Sequence, residues 1–92
     1  MDLNRKITFL DTVFAQIVDD EMVLLDMNSE NYFGLDEVGT DIWRAIEEKG
    51  VLQEVLEALL EAYDVEEEIL KKDLINFVQK LEESGLIKVE AF

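Results

Sequence analysis

The sequence contains no cysteine, no histidine and no proline, and its 8 basic side chains are outnumbered by 23 acidic ones. Without cysteine there is no disulfide, thiolate nucleophile or thiolate metal ligand, and without histidine there is no imidazole base or imidazole ligand. Most familiar catalytic and metal-binding machinery is thereby excluded, and no metal or cofactor is expected. The net charge of −15 repels phosphate backbones. A nucleic-acid binder would show a basic stripe that helps release counterions, so nucleic acid is not an expected partner. No uninterrupted apolar run approaches the ~20 residues needed to cross a bilayer. The first residues, Met1-Asp2-Leu3-Asn4-Arg5-Lys6, lack the apolar core of a signal peptide, so a cytoplasmic protein without membrane contact is expected.

Apolar residues make up 49% of the 92, enough for one packed domain. A chain of this size buries only about 60–65% of the surface it exposes when unfolded, so the core is small. The organising stretch is Val23 to Trp43. Val23-Leu24-Leu25-Asp26-Met27 is a short apolar run, Asn28-Ser29-Glu30-Asn31 is turn chemistry, and Tyr32-Phe33-Gly34-Leu35 resumes as strand. A helix then begins almost without a linker. Asp36 can cap its free N–H groups, Glu37 suits its positive end, and Val38, Ile42, Ala45 and Ile46 recur at helical spacing beside Trp43.

Upstream, Ile7 to Leu10 reads as a strand or an ordered arm, and Val13 to Val18 has the β-branched and aromatic content of a strand. Asp19-Asp20-Glu21 makes an acidic turn into the next strand, which predicts a three-stranded antiparallel meander. In its third strand Phe33 and Leu35 share the face expected to be buried, while Tyr32 and Gly34 share the other, so that Tyr32 points outward or into a groove. Downstream, helices are predicted from about Glu37 to Glu48, with Gly50 as a left-handed cap, from about Val51 to Tyr63, and from about Glu66 to Ser84. Gly39 costs helix propensity in the first of these, which a close backbone contact would explain. For the third helix Asp64 and Glu67 are spaced as a capping box, and Leu70, Leu74, Phe77 and Leu81 form the main apolar stripe with Val78 beside it. Leu86 to Val89 reads as a short final strand, a wing. The predicted class is α+β: a winged helix-turn-helix in which an N-terminal three-stranded meander precedes three helices and a C-terminal strand.

Sites for chemistry are few. Asp26, Asn28 and Glu30 alternate as in a calcium loop, but Asn31 stands where the loop glycine belongs, so turn acids are the better reading. Nothing nominates a carboxylate pair, and Gly34 and Gly39 do not form a phosphate loop. No enzyme is legible. An exposed strand edge remains as a surface on which a peptide can add.

Leu25-Asp26, Tyr32-Phe33-Gly34-Leu35-Asp36, Gly39, Ile42-Trp43, Tyr63-Asp64, Asp73, Phe77, Leu81 and Gly85-Leu86-Ile87, in that order and spacing, resemble the PqqD-like family over roughly residues 13 to 88 of a single domain. These are small winged-helix modules, also known as recognition elements for the leader segments of ribosomally made, post-translationally modified peptides. The run from Tyr32 to Gly39 looks most like the free-standing members of lasso-peptide pathways. The resemblance implies a non-catalytic carrier that binds a precursor's leader by strand addition. It would present the peptide to a separate modifying enzyme: a leader protease, a cyclase or a radical enzyme. The leader would add antiparallel to the third strand at Asn31, Tyr32, Phe33 and Gly34, in a groove whose far wall is the third helix, carried over as Lys71, Lys72, Ile75 and Gln79. The alternative is a winged-helix regulator or partner-binding adaptor with no leader peptide, and fold analogy cannot separate the two.

Overall fold

The computed structural model describes residues 2–91. In chain order the elements are β1 (Arg5–Phe9), β2 (Val13–Val18), β3 (Glu21–Asp26), β4 (Asn31–Leu35), α1 (Glu37–Lys49), α2 (Leu52–Ala62), α3 (Glu67–Glu83) and β5 (Ile87–Ala91). β2, β3 and β4 form the antiparallel meander, so the α+β class holds. The N-terminal run is a strand. It pairs antiparallel with β5 as a separate two-stranded sheet, Ile7 opposite Val89.

The β2–β3 turn is tight because Asp19 and Asp20 both take positive φ, 52° and 68°, between the paired residues Val18 and Glu21. Two successive left-handed residues match the twist of the flanking strands, and aspartate tolerates that conformation. The β3–β4 turn is held from within. The buried Asp26 carboxylate accepts from the Asn28 N–H at 3.1 Å and from the Ser29 hydroxyl at 2.9 Å.

Asp36 caps α1, its carboxylate accepting from the Gly39 N–H at 2.7 Å, and Gly50 closes the helix at φ 77°. Gly39, Ile42, Trp43 and Ile46 form the inward stripe of α1. Val38 lies about 100° round the helix from Gly39 and is exposed, which corrects its expected place on the apolar side. The stripe packs with Met22, Leu24 and Leu35 of the meander, Leu52, Val55, Leu56 and Leu59 of α2, and Leu70, Leu74, Val78 and Leu81 of α3. Val78 is therefore a core residue, while Phe77 sits half-buried at the edge. Trp43 is 2% exposed and stacks on Phe9, their ring centroids 4.3 Å apart, so β1 and not the meander supplies its partner.

The start of α3 differs from expectation. Glu66 is the N-cap and makes no side-chain cap bond, and the Asp64–Glu67 box does not form. Tyr63 and Glu66 are both extended, ψ 137° and 138°, as the chain passes from α2 to α3, so Asp64 lies too far back to reach the first helical N–H groups.

Candidate functional site

An antiparallel strand directs both main-chain groups of alternate residues to the same side, so one known bond fixes the rest. The Met27 N–H donates to the Thr12 carbonyl at 2.8 Å, just beyond the paired residues Val13 and Asp26. Alternation then points Phe14, Gln16 and Val18 at β3, and Met22, Leu24 and Asp26 at β4. Opposite these last three stand Leu35, Phe33 and Asn31. Thr40 supports this phase. Its hydroxyl accepts from the Met22 N–H at 3.2 Å and donates to the Leu35 carbonyl at 3.5 Å, bridging the end of the ladder and tying α1 to the sheet. Tyr32 and Gly34 are left with N–H and C=O groups facing away from β3, on the free edge of the sheet.

The β4 side chains alternate as the sequence predicts. Leu35 is buried and Phe33 packs on the core, while Tyr32 is 71% exposed on the outer face beside Leu25. A methyl group at Gly34 would meet no atom within 4 Å, so the outer face beside Tyr32 is open there.

Beside the edge lies a groove of about 440 Å³. Gly34, Leu35 and Asp36 form one side, Val38, Gly39 and Ile42 of α1 the floor, and Asp73, Asn76, Phe77 and Lys80 of α3 the far wall. The four wall residues recur at i, i+3, i+4 and i+7, one face of the helix. Gly39 of α1 faces Phe77 of α3. A Cβ there would stand 3.2 Å from both the Phe77 ring and the Asp36 carboxylate, the close contact that its helix cost implied. The groove continues into a smaller apolar cleft of about 180 Å³ that shares Val38, Ile42 and Asp73 and adds Val65 and Ile69. At its rim Tyr63 donates a hydrogen bond to Asp41, which pushes the phenol up to about 12; burial and the same carboxylate's charge add to the effect.

Asn31, Tyr32, Phe33 and Gly34 thus share the edge strand, and α3 does face it. The α3 residues that line this groove are not the ones carried over from the family resemblance. Lys71, Lys72 and Ile75 line a separate depression with Glu68 and Asn76, round the helix from the groove, and Gln79 lines neither. An apolar stripe has two flanks, and the sequence does not say which one a neighbouring strand occupies. The sequence signal for this groove was Gly39, whose missing side chain makes room for Phe77.

The described residues include no group of three or more Cys, Asp or Glu side chains placed to hold a metal ion, and no helix long and apolar enough to cross a membrane.

A sequence model of the family described as Coenzyme PQQ synthesis protein D (PqqD) matches residues 21–87. No curated protein matches the chain. Among solved structures it is similar to TbiB1 in complex with the TbiA(beta) leader peptide, at 35% identity over 87% of this chain and 93% of that one, with a TM-score of 0.82. It shares its fold with lasso peptide synthetase B1 complexed with the leader peptide, at 24% identity over 90% of this chain and 98% of the other, with a TM-score of 0.82.

Proposed function

The chain belongs to the PqqD family, and on that premise we propose that it is a peptide carrier that binds the leader of a ribosomally made precursor and presents the rest of the precursor to a separate modifying enzyme. The observation that carries this reading is the β4 edge. It is an uncharged strand, NYFGL, with two residues' main-chain groups unpaired and a half-apolar groove alongside. A leader strand laid antiparallel to β4 exchanges hydrogen bonds with Tyr32 and Gly34, each bond contributing about 0.5–1.5 kcal/mol net. Its side chains alternate between the outer face, beside Tyr32, and the groove, against Phe77. Main-chain bonding supplies affinity, and the groove supplies selection among leaders.

The charge of −15 steers a basic leader toward the site and repels an acidic one. Within the groove Asp36 and Asp73 outnumber Lys80, which favours the same leaders. The carrier performs no chemistry itself. A sequence without cysteine or histidine supports this, as does the engagement of the Tyr63 hydroxyl with Asp41. It acts in the cytoplasm, where ribosomal precursors are released, with a protease, cyclase or radical enzyme as its partner.

The test is fluorescence polarisation of a labelled leader from the precursor encoded beside this chain, against a scrambled peptide of the same composition. Saturable binding of the leader alone is expected. No binding, or equal binding of the scrambled peptide, contradicts the proposal.

A further inference from the structure

The meander has a second free edge, β2. Soluble proteins blunt such edges with charge, proline, a bulge or a covering element. β1 and β5 follow that rule with Arg5, Lys6, Lys88 and Glu90. β2 does not. Its sequence VFAQIV has neither charge nor proline, and its pairing with β3 runs from Val13 to Val18 without a bulge. Phe14, Ile17 and Val18 are 59%, 44% and 46% exposed. The alternation established above turns the main-chain groups of Val13, Ala15 and Ile17 outward. The Val13 N–H is taken by the Leu10 carbonyl at 3.1 Å, leaving Ala15 and Ile17 as a hydrogen-bonding template.

We propose that β2 pairs with β2 of a second copy of this chain, antiparallel about a two-fold axis at Gln16, to make a continuous six-stranded sheet. An axis normal to the sheet keeps both sets of helices on one side. Bonding geometry then permits registers centred on Ala15, Gln16 or Ile17, and side-chain pairing within β2 chooses among them. Centring on Ala15 sets Phe14 opposite Gln16 of the second copy, and centring on Ile17 sets Val18 opposite Gln16, so in either an exposed apolar side chain meets an amide. Centring on Gln16 sets Phe14 opposite Val18 and Ala15 opposite Ile17, so the exposed apolar groups meet one another. The pair is self-complementary, as a two-fold interface requires. It leaves both β4 edges free at the two ends of the sheet.

Each copy carries a net charge of −15, so pairing is opposed at long range and strengthens with salt. Sedimentation equilibrium should show a dimer fraction that rises between about 0.1 M and about 1 M NaCl, as the screening length falls from about 10 Å to about 3 Å. The absence of cysteine allows a direct check of register. Gln16 opposite Gln16 is a non-hydrogen-bonded pair with Cα atoms about 4.5 Å apart, within reach of a disulfide. On mild oxidation Gln16→Cys should cross-link roughly tenfold faster than Tyr32→Cys, whose exposed thiol meets its like only by collision. Ile17→Asp should remain monomeric at all salt concentrations, keep its melting temperature and still bind the leader at β4. A parent protein that stays monomeric at high salt, or a Gln16→Cys variant that cross-links no faster than Tyr32→Cys, overturns the proposal. Neither result touches leader binding, which is read separately by polarisation.

Discussion

Gly34→Pro separates main-chain recognition from side-chain recognition at the β4 edge. A proline is tolerated in an edge strand where its missing N–H faces solvent, and the Gly34 N–H faces away from β3. The substitution spares the β3–β4 ladder. It removes one donor that a bound strand would use and leaves a leader carbonyl without a partner. A lost hydrogen bond of about 1 kcal/mol, with about 1 kcal/mol for the stranded carbonyl, amounts to about 2 kcal/mol, roughly a thirtyfold rise in Kd. Gly34→Ala is the control, since its Cβ meets nothing within 4 Å and its N–H is intact; it should bind within about twofold of the parent. Phe33→Pro is the opposite control, because the Phe33 N–H serves β3, and it should lose the fold. Polarisation with the labelled leader gives Kd, and a thermal melt reports folding. If Gly34→Pro melts like the parent and binds as tightly, the edge is not the recognition element.

The α3 wall is tested by a pair of variants. Phe77→Ala should weaken leader binding by about 1–3 kcal/mol, whereas Ile75→Asp, in the separate depression, should leave Kd unchanged; the reverse result would restore the other flank of α3 as the wall. Trp43→Ala removes a ring that is 2% exposed and stacked on Phe9, a loss of about 3–5 kcal/mol, and should leave little folded protein by circular dichroism. Because the Asp41 hydrogen bond raises the Tyr63 phenol from 10.0 to about 12, the folded state holds that proton where the unfolded chain releases it. The stabilisation is present below pH 10.0 and lost as pH rises toward about 12; urea melts across that window should show the parent falling and Tyr63→Phe falling less.

The fold was legible wherever its causes are local. The change of period at Leu35-Asp36, the Asp36 cap and the positive φ of Gly50 are set by neighbouring residues, and the structure has them where the sequence puts them. The pairing of β1 with β5 was not legible, because Ile7 and Val89 meet only after the whole chain has folded between them. Val38 and Val78 exchanged expected roles for a similar reason, since a stripe fixes a helix face only to within about one residue's turn. The site divided along the same line. Alternation gave the outward Tyr32 and the inward Leu35, but the flank of α3 beside them depends on how two distant elements pack. Asp73 and Phe77, among the residues that carry the family resemblance, line the groove; Lys71, Lys72 and Ile75, named as the wall on the same resemblance, line the separate depression.

Amide hydrogen exchange measured by NMR, with and without the leader peptide, tests strand addition to β4 most directly, because the two free edges of the meander expose different amides. Leader binding should slow exchange at Tyr32 and Gly34, leave Phe33 as it was within the ladder, and leave Ala15 and Ile17 on the β2 edge unchanged. Protection at Ala15 and Ile17 with none at Tyr32 and Gly34, or saturable binding that slows neither pair, would contradict it.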